Sequence, residues 1–180
     1  MLNHKWMRAG AGVLMGATLA VSACSQQETE APAEPVAQEA PETEMAMGFA
    51  TRMIEANGIT LRIAEAGPED GELVVMVHGW PESWYSWRHQ IKALSEAGYR
   101  VAAPDVRGYG ESDRPEPVEA YDLESLTGDI AGLAEALAPG EKAVVVGHDW
   151  GAPIAWNTAR LHADKFRAVA GLSVPYMPMG

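Results

Sequence analysis

Ala143-Val144-Val145-Val146-Gly147-His148-Asp149-Trp150-Gly151-Ala152-Pro153-Ile154-Ala155-Trp156 is an apolar run, then a Gly-x-Asp-x-Gly turn, then a helical pattern opened by proline. A proline in the first turn of a helix loses no hydrogen bond, because that N–H has no partner anyway. Small residues on both sides of the central acid let a strand turn sharply into a helix and lift one side chain above the end of a sheet. The spacing therefore predicts a nucleophile elbow, with Asp149 as the lifted residue.

Outward from the elbow, strand and helix patterns alternate. Leu73-Val74-Val75-Met76-Val77 is a continuous apolar run, the pattern of a strand covered on both faces. Trp84, Trp87, Ile91 and Leu94 then recur at helical spacing up to Gly98, and the two tryptophans read as core. Val101-Ala102-Ala103 is a shorter strand that leads into the loop from Asp105 to Asp113. Asp122 suits a helix cap before Leu123, Leu126, Ile130, Leu133 and Leu137, and Pro139-Gly140 closes that helix. After the elbow helix, which runs through Leu161, Phe166 to Leu172 reads as a last strand. Upstream, Thr51 to Glu55 and Thr60 to Glu65 flank Asn57-Gly58, a two-residue hairpin signal. The order is an α/β fold, a mostly parallel sheet with helices on both faces, opened by an antiparallel hairpin.

Two segments precede this domain. In residues 1–23, Lys5 and Arg8 stand before a short apolar, Gly- and Ala-rich run, which is the pattern of an export signal. It ends Val21-Ser22-Ala23-Cys24 and resembles the bacterial lipoprotein signal. That resemblance implies lipid attachment at Cys24 and anchoring to a bacterial membrane, facing the periplasm or the cell surface; an ordinary signal peptide with an incidental cysteine is the alternative. Residues 24–47 are rich in Glu, Pro, Ala, Gln and Thr and cannot bury enough apolar surface to offset their ordering entropy. They are expected to form a tether, with the folded domain occupying 48–180.

Charge and cysteine content narrow the function. The 180 residues hold 25 acidic and 13 Lys or Arg residues, a formal charge of -12, which repels nucleic acid. A single cysteine leaves no intrachain disulfide and no cysteine-based zinc cluster. No metal and no cofactor is expected. The chemistry falls to Asp149. A carboxylate is ionised at neutral pH, but its attack on an ester would form a reactive anhydride, so its productive targets are saturated carbons bearing a leaving group. Epoxides and alkyl halides fit. The alkyl ester formed on Asp149 must then be hydrolysed by activated water, and the oxyanion of that step needs backbone N–H donors.

With these residues in place, the chain from about Thr51 onward resembles the α/β-hydrolase fold, and its epoxide hydrolase branch in particular. His78-Gly79-Trp80-Pro81 looks like the family's oxyanion-loop motif, Asp105 to Asp113 its Gly-rich loop, and Gly147-His148-Asp149-Trp150-Gly151 its elbow with an aspartate nucleophile. The resemblance implies that the backbone N–H groups of Trp80 and Trp150 form the oxyanion hole. Haloalkane dehalogenases share the aspartate and the following tryptophan, but many carry asparagine where this chain has Trp80, and an aromatic residue there favours epoxide opening. Fluoroacetate dehalogenases typically have arginine after the nucleophile, unlike Trp150. A tethered module that kept the fold and lost the chemistry is a third alternative.

The remaining polar residues of the motifs are expected to be structural. His78 and His148 should hold loops rather than act as the base, and His89 and His162 fall on helices as surface residues. Asp105, Arg107 and Asp113 should fix their loop. The family completes its site with a helical cap bearing two tyrosines, a later acid and a late histidine, and none of these can be assigned within the 180 residues. Tyr176 stands too early to be a cap tyrosine. The expectation is thus the N-terminal part of a longer enzyme, unable to turn over by itself, with an exposed sheet edge near Val174 to Met179.

Overall fold

The computed structural model describes residues 43–177. The leader, Cys24 and most of the tether lie outside the described residues. Seven strands form one sheet: β1 (Glu44–Ala46), β2 (Phe49–Ala56), β3 (Ile59–Ala66), β4 (Leu73–Val77), β5 (Arg100–Pro104), β6 (Ala143–His148) and β7 (Phe166–Leu172). Helices α1 (Arg88–Glu96), α2 (Leu123–Leu137) and α3 (Gly151–Leu161) connect the parallel strands. In space the strand order is β1-β2-β3-β5-β4-β6-β7. Strands β1, β2, β3 and β5 pair antiparallel, whereas β5, β4, β6 and β7 run parallel.

The hairpin forms where Asn57-Gly58 predicts it. Both residues take positive φ, 51° and 76°, the geometry that a two-residue turn needs to match strand twist. One boundary needs correction. Glu44–Ala46, assigned from sequence to the tether of 24–47, form β1 and pair with Phe49–Thr51. The chain reverses through Met47 and Gly48, both at positive φ. The acid-rich composition of this stretch concealed the strand, because an edge strand needs to bury little.

The apolar run of β4 fills two cores at once. Leu73, Val75 and Val77 face one cluster with Leu61, Ile63 and Val145, covered by Ile130, Leu133 and Leu137 of α2 and Ile154 of α3. Val74 and Met76 face the other, with Trp84, Trp87 and Ile91. Successive strand side chains point to opposite faces, so a strand covered on both sides must be apolar throughout. The tryptophans expected in the core are there. Their segment, however, is a 3-10 turn, Trp84–Trp87, capped by the Ser83 side chain accepting from the Tyr85 N–H, with the α-helix starting only at Arg88. A second 3-10 turn, Val118–Tyr121, leads to Asp122, whose carboxylate accepts from the Ser125 N–H at 2.7 Å and caps α2 as expected. Strand β7 is outermost on the parallel side, and Leu172, Tyr176 and Met177 near its end are exposed.

Candidate active site

The loops that leave the carboxyl ends of β4, β5 and β6 lie side by side, because β4 sits between β5 and β6 in the sheet. Chain direction across the sheet reverses at β4, and in open α/β sheets such a switch point, at the carboxyl ends of the strands, is where ligands bind.

The elbow follows β6 directly. Asp149 has φ of 53°, a left-handed conformation that costs a non-glycine residue energy and is characteristic of functional turns. Glycine is obligatory around it. A Cβ on Gly147 would come 2.1 Å from the Gly151 carbonyl oxygen, and one on Gly151 would come 2.2 Å from that of Val77. On the facing loop, a Cβ on Gly79 would meet the Asp149 Cβ at 2.5 Å, so any side chain there would push the loop off the carboxylate.

That closeness brings the backbone N–H of Trp80 to Asp149 Oδ1 at 3.0 Å. Together with the N–H of Trp150, it holds the Asp149 carboxyl below the usual carboxylate range, because hydrogen bonds to the charged form stabilise that form. The two N–H groups proposed from sequence as an oxyanion hole thus both act on Asp149. The indole side chains of Trp80 and Trp150 are exposed, and the Trp80–Pro81 peptide is cis.

The two motif histidines are committed elsewhere. His78 is buried; its Nδ1 donates to the Gly79 carbonyl oxygen at 2.8 Å and its Nε2 accepts from the Val106 N–H at 2.9 Å. Burial lowers its pKa, which keeps the ring neutral and in the tautomer these bonds require. It ties the β4 loop to the β5 loop. His148 lies with Nδ1 3.2 Å from Glu82 Oε1. His89 is exposed on α1 and His162 caps the end of α3.

The β5 loop is fixed by its own polar residues. Asp105 Oδ1 accepts from the Trp84 N–H at 3.0 Å, and Asp113 Oδ2 accepts from the Thr60 N–H at 2.7 Å. Arg107 makes a two-pronged pair with buried Asp129 of α2, at 2.7 and 2.6 Å, and donates also to the Ala120 carbonyl oxygen. Asp129 accepts as well from Asn57 Nδ2 in the hairpin turn. Next to the elbow opens a cavity of about 550 Å³ whose walls include Tyr109, Leu126, Trp150, Pro153, Ile154 and Trp156. Gly79 and His78 form part of its lining, so the loop after β4 borders an apolar chamber of the kind that holds small organic ligands. Among the described residues no group of three or more His, Cys, Asp or Glu could hold a metal ion.

The sequence pattern of the alpha/beta hydrolase fold family matches residues 72–179. The chain belongs to this family. Within it, the chain is 55% identical over 133 residues to Epoxide hydrolase A of Mycobacterium tuberculosis, covering 73% of this chain and 41% of that protein. It is 46% identical over 129 residues to the AB hydrolase superfamily protein YfhM of Bacillus subtilis, covering 72% and 45%. The crystal structure of Epoxide Hydrolase A from Mycobacterium thermoresistibile superposes with a TM-score of 0.70 at 54% identity, covering 72% of this chain and 40% of that one. The chain spans about two fifths of the length of these relatives.

As an α/β hydrolase, the chain brings Gly79, Trp80, Gly147, His148, Asp149, Trp150 and Gly151 together, with His78 and Pro81 bracketing Gly79 and Trp80 in the loop after β4; Cys24 lies outside the described residues. Two residues beside the site escaped the sequence reading. Glu82 contacts both Gly79 and His148, and the acid directly after the His-Gly-Trp-Pro motif was its one available signal. Tyr109 lines the cavity and stacks edge-on against His78 at 5.1 Å; burial and the Asp149 charge raise its pKa.

Proposed function

We propose that this α/β hydrolase is epoxide hydrolase-like and that Asp149 opens an epoxide through a covalent ester. The observation that carries the reading is the Asp149 carboxylate at the elbow, with Oδ1 on the Trp80 N–H at 3.0 Å; the similarity to two epoxide hydrolases supports it. Because Oδ1 is occupied, Oδ2 is the oxygen that attacks. It forms a bond to one ring carbon, the ring C–O bond breaks, and the released oxygen takes a proton to become a hydroxyl. Water then adds to the ester carbonyl. The negative charge of that step develops on Oδ1, where the Trp80 N–H receives it, with the Trp150 N–H acting on the same carboxyl group. Collapse releases the diol and restores the carboxylate, so epoxide and water are consumed in equal number. Neither His78, with both nitrogens engaged, nor His148, turned through Nδ1 to Glu82, is assigned as the base that activates this water.

Incubation with styrene oxide, followed by intact-mass measurement, is expected to add the mass of one epoxide at Asp149, and Asp149→Asn should abolish it. A wild-type protein that folds and gains no mass would sink the reading and favour a module that kept the fold alone. The exposed Trp150 indole beside Asp149 favours a second reading, displacement of halide from a short alkyl halide. Bromide release from a bromoalkane without diol from an epoxide would establish it over the first.

For the segment ahead of the domain, the proposal is a lipid on Cys24 that tethers the hydrolase to a bacterial membrane, supported by the small residues preceding that lone cysteine. Cells fed an alkynyl fatty acid should label the protein, and Cys24→Ser should not be labelled.

A further inference from the structure

Glu82 makes three polar contacts at the junction of two loops. Its own N–H donates to the Gly79 carbonyl oxygen at 3.1 Å, and its Oε2 accepts from the Gly79 N–H at 3.1 Å. This closes a reciprocal pair around the turn that presents Trp80. Its Oε1 lies 3.2 Å from Nδ1 of His148, the residue directly before the nucleophile. The side chain is three-quarters buried, at 24% exposure, and the His148 ring is itself held edge-on by Trp87. One carboxylate thus joins the loop after β4 to the end of β6. A short polar side chain whose bonds span two loops restricts both, and a site needs its donors held within a fraction of an ångström of the developing charge.

We propose that Glu82 is the positioning residue of the oxyanion loop: by holding the Gly79 N–H and His148 Nδ1 together, it keeps the Trp80 N–H on Asp149 Oδ1. The proposal rests on Asp149 being the nucleophile only for its catalytic consequence. Its structural consequence is independent of any reaction. Without the Glu82 carboxylate, the Gly79 N–H loses its acceptor and the loop loses its link to His148. The Gly79 carbonyl keeps its bonds from His78 Nδ1 and the Glu82 N–H, so the turn shifts as a unit away from β6 and carries the Trp80 N–H off Oδ1. Ester formation needs only the free oxygen of Asp149 and should suffer little. Ester hydrolysis needs the donor at Oδ1 and should suffer most.

Hydrogen exchange resolved to single amides, run with styrene oxide labelling on the same preparations, tests this. In Glu82→Ala the Trp80 amide is expected to exchange at least about tenfold faster, while the Val106 amide, held by His78, is unchanged. The styrene oxide ester on Asp149 should form at a rate close to wild type and persist roughly tenfold longer. Glu82→Gln keeps an acceptor for the Gly79 N–H and a polar partner for His148, and it should restore both values to near wild type. If the alanine variant fails to fold, Glu82→Asp, one carbon too short to reach both partners, replaces it with the same expectation. Unchanged exchange at Trp80 in the alanine or aspartate variant overturns the proposal, and so does a glutamine variant as impaired as alanine. A wild type that forms no ester overturns the proposed reaction instead, and the exchange rates then decide the role of Glu82 alone.

Discussion

Asp149 combines a strained backbone with a stabilised charge. Its positive φ points the carboxylate out of the strand-helix turn, and the N–H groups of Trp80 and Trp150 keep it ionised. The pH consequence has a definite sign. A carboxyl whose pKa is depressed in the folded state stays charged as pH falls past the ordinary value of about 3.9 for aspartate. The rate of ester formation at Asp149 is therefore expected to be flat from pH 8 down to about 4 and to decline only below that, as the depressed pKa is crossed. Quench-flow labelling at a series of pH values measures it, and a midpoint above the ordinary value would mean that the two N–H donors do not act on this carboxylate in solution. The glycines work at the same scale: at 79, 147 and 151 a single methyl group would collide with backbone or with the Asp149 side chain.

Among the elements, the β5 loop and α2 are joined to the hairpin by one buried ion pair. Arg107 and Asp129 are 6% and 3% exposed, and Asp129 also receives Asn57 from the hairpin turn, while Gly128 of α2 leaves room for the same asparagine. Removing one partner strands the other charge away from water, which costs far more than the pair gains by forming. Asp129→Ala should lower unfolding free energy by about 3–5 kcal/mol, read from the shift in urea midpoint at unchanged slope. A loss under about 1 kcal/mol would place this pair with solvent-screened surface bridges instead.

At the scale of the molecule, the chain carries a net charge of -12, and an apolar cavity opens beside Asp149. Negative potential lowers the local concentration of anions, and salt screens it. Neutral aryl epoxides are expected to label Asp149 faster than epoxides of the same size carrying a carboxylate, with the gap narrowing between 10 mM and 1 M ionic strength. A salt-independent ratio would assign the preference to the cavity wall rather than to the overall charge. The outer strand β7, its exposed last residue Leu172, and Tyr176 and Met177 beyond it border the same end of the sheet.

What the sequence determined by itself is local: the elbow glycines around Asp149, the Asn57-Gly58 turn, the Asp122 cap and the two-sided apolar run of β4. Each depends on residues within a few positions of one another, so steric limits on φ and the period of side-chain direction write them directly into the order of amino acids. The edge strand Glu44–Ala46 was not legible, because its stability comes from pairing with β2 and not from its own composition. Only the tertiary structure decided that β4 lies between β5 and β6, that the Trp80 N–H meets a carboxylate 69 positions away, and that Glu82 reaches His148 across 66. Such contacts close long loops, and what selects them is the joint packing of both sheet faces, which no single stretch of the chain contains.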